Sequence, residues 1–185
     1  KRGEGDLQSV VKAIYYAIGK KVDIINMSLG CPNNDPALEK AIKKAVAKGI
    51  CVCCASGNNG DNNPNTDENA YPGAYSEVIC VGAMNSNLGV SNFSNSNKFV
   101  DIVAPGENIT STYIGGGLKS LTGTSMATPC VSGALALIIE WSTEEFKRRL
   151  TESEIYGLLI KNTITLQNVD RRLQGQGRLE FKENQ

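Results

Sequence analysis

"VDIINMSLGCPNNDPALEKAIKKAVAKGICVCCAS", residues 22–56, holds two short apolar runs on either side of one amphipathic segment. The first run, residues 22–29, is rich in β-branched side chains and stops at Gly30, which suits a strand buried on both faces. The run at 50–56 has the same character. Between them, Asp35 is placed to cap a helix that starts at Pro36, carries an apolar stripe of Leu38, Ala41, Ile42, Ala45 and Val46, and ends at Gly49. With connections this short, strand, helix and strand imply a right-handed crossover and a parallel sheet. Both strands then end at one carboxyl edge, where open α/β folds place their ligands. "SLGC" at 28–31 and "ASGNNG" at 55–60 would flank one crevice there.

Upstream, residues 6–19 place Leu7, Val10, Val11, Ile14, Ala17 and Ile18 on one helical face, with Asp6 as cap and Gly19 as the stop. Downstream, residues 57–77 are dense in Asn, Asp, Gly and Pro and read as a long surface loop of the kind that carries function. A strand is expected at 78–84, one or two more across 99–112, and a glycine turn at 115–117. That turn lacks the Lys-Ser/Thr of a phosphate loop, which disfavours a nucleotide-binding domain. A helix from Thr124 to about Trp141, despite Pro129, and another over residues 152–161 precede a polar tail. No repeat or linker divides the 185 residues, and one domain is expected.

Nineteen basic residues balance nineteen acidic ones, so nothing favours nucleic acid or an anionic membrane as partner. "VSGALALII" at 131–139 is too short to span a bilayer. Of the six cysteines, Cys51, Cys53, Cys54 and Cys80 lie in apolar runs, where a thiol acts as a small hydrophobe. A metal site would need paired Cys-x-x-Cys motifs or histidine partners, and the run offers neither. Reduced thiols in a domain of this size point to the cytoplasm.

Two residues carry the chemistry. Ser125, after Gly123 and Thr124, opens a helix of small residues, where a hydroxyl and an unpaired N–H beside the positive helix end suit an oxyanion. The ordinary alternative is a helix cap. Asn58, just past a parallel strand and next to Gly57, can point an amide at developing negative charge; the ordinary alternative is a turn residue.

"GTSMATPCVSGALAL" at 123–137 strongly resembles the serine signature of the subtilisin-like serine proteases. "VDIINMSLG", "CASGNNG", "YPGAYSEVICVGA", "SNFSN" and "DIVAPGENITST" resemble further family segments in the family's order, so the likeness covers nearly the whole chain. Its nearest likeness is to the intracellular bacterial branch. The resemblance implies a three-layer α/β fold with a parallel sheet, incomplete at its N-terminal side, of which residues 1–185 would be the C-terminal portion. It implies Ser125 as nucleophile, with its own N–H and the Asn58 amide as oxyanion hole. Ser28, Leu29 and Gly30 would form one wall of the specificity pocket and a strand edge for substrate, Ala55, Ser56 and Gly57 the other wall, and Ala70 the floor. None is charged, so an uncharged, bulky apolar side chain is the expected occupant.

Cys130 stands where the family usually has a histidine that packs and is not the base. The family's triad runs Asp, His, Ser along the chain. This chain has no histidine, and neither Asp6 nor Asp101 lies in the family's aspartate motif. The expectation is therefore a serine endopeptidase acting on polypeptides, inactive as this chain alone, with its base and orienting aspartate on an N-terminal segment of the same protein. A non-catalytic, peptide-binding pseudoprotease is the alternative. Apolar faces left uncovered would favour self-association. The resemblance also implies a calcium or sodium ion held by backbone carbonyls near residues 73–78, to which Asp61, Asp67 and Glu68 could add. A solvated polar loop is the preferred reading there, and no metal ligand is assigned.

Overall fold

A computed structural model describes residues 5–181. The unit at 22–56 forms as read, with β1 (Ile24–Met27), α2 (Pro36–Val46) and β2 (Cys51–Ala55). β1 and β2 are parallel, pairing Ile24 with Cys51 and Met27 with Cys54. Asp35 caps α2 by accepting from the amides of Ala37 and Leu38 at 2.8 and 2.9 Å. Ahead of it, α1 (Leu7–Lys20) is capped by Asp6 but does not stop at Gly19. Lys21 closes it in the left-handed region at φ 56°, and the Val22 amide reaches back to the Ala17 carbonyl at 3.4 Å. Packing of Val22 into the core sets that end, overriding the glycine.

β3 (Ile79–Met84) and β4 (Val100–Pro105) continue the parallel sheet. β5 (Ile109–Thr112) and β6 (Leu118–Leu121) form a separate antiparallel hairpin. Gly115, Gly116 and Gly117 all take positive φ at its turn, a run that side chains would strain. Helix α3 (Thr124–Phe146) runs through Pro129, and α4 (Glu152–Lys161) starts in a capping box of Thr151 and Glu154. The expected polar tail is structured instead. β7 (Thr163–Ile164), α5 (Arg171–Gln174) and β8 (Arg178–Leu179) follow, and β8 joins β4 in parallel. The sheet order is β1-β2-β3-β4-β8-β7, with only β7 antiparallel to its neighbour.

Strand alternation builds three layers. Cys51 and Cys53 face one way, with Ile79, Val81, Ile102 and Ala104, against Val131, Leu135 and Ile138 of α3 and Ile155 and Leu159 of α4. Val52 and Cys54 face the other way, against Ile14 of α1 and Leu38 and Ile42 of α2. The four strand cysteines are fully buried and free, and desolvation pushes the thiols of Cys51 and Cys53 up to about 12. They pack as small hydrophobes. None of the helices among the described residues is long and apolar enough to cross a membrane.

Candidate active site

Ser125 is the second residue of α3, whose N-terminus begins at Gly123 with no side-chain cap. A capping serine would turn its hydroxyl onto its own first turn. Ser125 instead donates to the Ser28 carbonyl, one residue past β1, at 3.1 Å. An amide at the second helical position has no intrahelical acceptor. Ser125 therefore presents a hydroxyl and a free N–H at the positive end of a 23-residue helix.

Asn58, three residues past β2, meets that helix end. Its Oδ1 accepts from both the Thr124 amide and the Thr124 hydroxyl, each at 2.9 Å. The oxygen end of the amide is thus fixed, and Nδ2 is left open on an exposed side chain with no acceptor among the described residues. Thr124 is fully buried, and its Oγ1 also accepts from the Gly57 amide at 3.3 Å. Asn95, also buried, braces the turn from behind. Its Oδ1 accepts from the Asn59 amide at 2.6 Å and its backbone N–H donates to the Gly57 carbonyl at 3.1 Å. Gly57 sits at φ +109°, and a Cβ there would collide with the Asn95 amide, so the turn requires glycine.

Ser125 and Asn58 open onto a cleft of about 620 Å³ lined by Leu29, Gly30, Ala55, Gly57 and Ala70. A Cβ on Gly30 would lie 3.4 Å from that of Ala70, and one on Gly57 would lie 3.1 Å away, so both walls close on Ala70. Two expected wall residues differ. Ser28 takes part through its carbonyl, and Ser56 turns away from the cleft, 1% exposed, with its hydroxyl unpartnered. Alternation along the chain from β2 puts Ala55 and Gly57 on the cleft and Ser56 behind it.

The lining is also less neutral than the sequence implied, because the 57–77 loop folds Asp67 and Glu68 onto the cleft. Asp67 pairs with Arg172 of α5, and Glu68 Oε2 accepts from the Ser96 amide at 2.9 Å. Asp61 accepts from the Asn63 amide and the Thr66 hydroxyl, both at 2.9 Å. Among the described residues no three carboxylates, cysteines or histidines are placed to hold a metal ion. Asp61, Asp67 and Glu68 do not fit together as one cation cradle.

Neither Asp6 nor Asp101 is bonded to Ser125, so neither stands in as its base. Asp6 caps α1. Asp101 accepts from the Cys80 amide at 2.8 Å and from the Tyr156 hydroxyl at 2.7 Å.

A parallel sheet between two helical layers, with a serine-bearing helix end beside a carboxyl-edge cleft, defines a three-layer α/β protein. The model of the Subtilase family matches residues 1–177, and the chain belongs to that family. It is 54% identical to an intracellular serine protease of Paenibacillus polymyxa, over 97% of this chain and 55% of that protein. It is 49% identical to the major intracellular serine protease of Bacillus subtilis (strain 168), over 95% of this chain and 54% of that protein. The chain spans about half the length of these relatives. Among solved structures, the prenylagaramide maturation protease PagA superposes with a TM-score of 0.85 at 26% identity, covering 97% of this chain and 68% of that one.

Thr124 and Asn95 are the two site residues that the sequence reading passed over. Each lies inside a family motif, "GTSMATPC" or "SNFSN", and only the meeting of distant loops gives it a task.

Proposed function

We propose that this chain carries the nucleophile and oxyanion-binding half of a serine endopeptidase site. Ser125 Oγ would attack the scissile carbonyl of a polypeptide, the C–N bond would break, and the amine would leave with a proton, giving an acyl-enzyme that water hydrolyses. The oxyanion would meet the Ser125 N–H and Asn58 Nδ2. The observation that carries this reading is the Asn58 amide, anchored through its oxygen at 2.9 Å with its nitrogen left free toward the cleft end of α3. The names of the relatives support it. Leu29, Gly30, Ala55, Gly57 and Ala70 would hold an uncharged substrate side chain, with the carboxylates of Asp67 and Glu68 kept to their own partners. Six free cysteines and relatives named as intracellular support a reducing compartment.

The chain contains no histidine, so the proton of Ser125 would go to a base on polypeptide outside these residues, itself oriented by a carboxylate. The same composition favours a second reading, a groove that holds peptide without cutting it. Labelling with a fluorophosphonate serine reagent and turnover of an unstructured polypeptide separate the two. The protein that joins this chain to its base should be labelled and active, and Ser125→Ala should abolish both. The 185-residue chain alone should show no turnover. Peptide binding by the joined protein without labelling would support the second reading, and turnover surviving Ser125→Ala would overturn the first.

A further inference from the structure

We infer that Asn26 is a positioning residue, one that clamps the nucleophile-bearing helix in register on β1. Its consequence for rate rests on the peptidase reading above; the clamp itself does not. Asn26 is the one polar side chain in β1, whose sequence is Ile-Ile-Asn-Met. Asn26 is exposed, so water could serve its amide, yet both ends of the amide are bonded within the protein. Nδ2 donates to Ser28 Oγ at 2.9 Å, and Oδ1 accepts from Ser132 Oγ at 3.0 Å. Ile24, two residues earlier and so on the same face of the strand, packs into the cluster that α3 helps to form.

Ser132 lies seven residues after Ser125, two turns further along α3 and on the same side of the helix. The helix therefore grips the strand at two points. In this chain Ser125 donates to the Ser28 carbonyl at 3.1 Å, a bond it gives up when its proton turns to a base. Ser132, whose hydroxyl also lies 3.3 Å from the Thr128 carbonyl of its own helix, holds Asn26, which in turn holds the Ser28 side chain and is the grip that persists. Helix and strand close a ring in which a slide of either would break a hydrogen bond. The ring fixes where the Ser125 hydroxyl stands relative to the strand edge, and it includes neither Ala55 and Gly57 of the far wall nor Ala70 of the floor.

Loss of the clamp should act on the reaction step more than on binding, because small displacements of a nucleophile cost rate steeply. In the active, base-bearing protein, Asn26→Ala should lower kcat about tenfold with KM within about twofold. Ser132→Thr, which keeps the hydroxyl, should match the unsubstituted protein, whereas Ser132→Ala should lose activity. The double variant should be no worse than Asn26→Ala, since both act through one ring. A parallel cycle of urea unfolding midpoints should be non-additive as well. A KM that rises in step with the fall in kcat, or additive losses, would overturn the inference. Should the unsubstituted protein show no turnover dependent on Ser125, the peptidase reading falls. The unfolding cycle then decides the clamp, coupling supporting it and additivity overturning it.

Discussion

Asn58, in the loop past β2, and Asp101, within β4, each accept two hydrogen bonds, and they differ in what is left over. Asn58 takes both bonds on one oxygen, from Thr124, so its nitrogen remains unused and exposed. Asp101 takes one bond on each oxygen, from the Cys80 amide on β3 and the Tyr156 hydroxyl on α4. It ties strands to helix and offers no donor. A polar group satisfied at both ends is architecture, whereas one fixed at one end and open at the other is prepared for something not yet bound.

That contrast breaks first at Asn58. In the active protein, Asn58→Ala should lower kcat about a hundred- to a thousandfold, the size of the loss on removing the oxyanion-hole asparagine of a subtilisin, a relative of this chain. KM should move far less, because the amide meets its charge only in the transition state. The unfolding midpoint should fall as well, by an amount matching the two bonds lost from buried Thr124, about 1–3 kcal/mol, too little to unfold the protein. Steady-state kinetics beside urea denaturation checks both. Equal losses in KM and kcat would make Asn58 a binding or structural residue.

Thr124 sharpens the same contrast with a smaller effect. Thr124→Val keeps the shape and the backbone bond to Asn58 Oδ1 but removes the hydroxyl that donates to Asn58 and accepts from Gly57. One neutral hydrogen bond is worth about 1 kcal/mol, so the oriented amide should lose roughly fivefold in kcat. Thr124→Ser should retain most of the activity. Kinetics of the two variants side by side would show whether the hydroxyl or the methyl group matters, and a serine variant as impaired as the valine one would assign Thr124 to packing.

Much of this was legible in the sequence, for reasons that differ from one element to the next. Asp35, Pro36 and the stripe from Leu38 to Val46 specify α2 locally, and the helix begins and packs as read. Gly19 misled because the end of α1 is set by Val22 entering the core, a tertiary event. β7, β8 and α5 are two to four residues long, and their positions come from pairing with β4 and from contacts between distant segments, which no periodicity encodes. At the site, Ser125 and Asn58 were visible as residue types in suggestive places. The direction of Ser56 follows from alternation along β2 and was readable, whereas the arrival of Asp67 and Glu68 at the cleft and the braces from Thr124 and Asn95 were not. Each depends on where a loop returns after leaving β2, and the irregular 57–77 segment carries no pattern from which to read it.

Asp101 supplies the smallest test, and a signed one. Burial raises its carboxyl above the ordinary value of 3.8, while the bonds from Cys80 and Tyr156 and the charge of Arg171 pull it back. Glu152 on α4 is raised too, by burial and by the charge of Asp101. A carboxyl whose folded value lies above its unfolded one binds its proton more tightly in the native state. Its contribution to stability is therefore complete below 3.8 and is lost as pH rises through the raised folded value. Asp101→Asn carries no charge at any pH yet keeps both contacts, accepting from Cys80 and donating to the Tyr156 oxygen. Around pH 7 the variant should be as stable as the unsubstituted protein or slightly more so, by less than about 1 kcal/mol for a half-buried group. Its advantage should shrink as pH falls toward 4, where Asp101 takes up its proton. Urea unfolding at a series of pH values reads the difference directly. A variant markedly less stable at pH 7, with the gap closing toward pH 4, would mean that the charge on Asp101 holds β3, β4 and α4 together and that the satisfied site depends on ionisation.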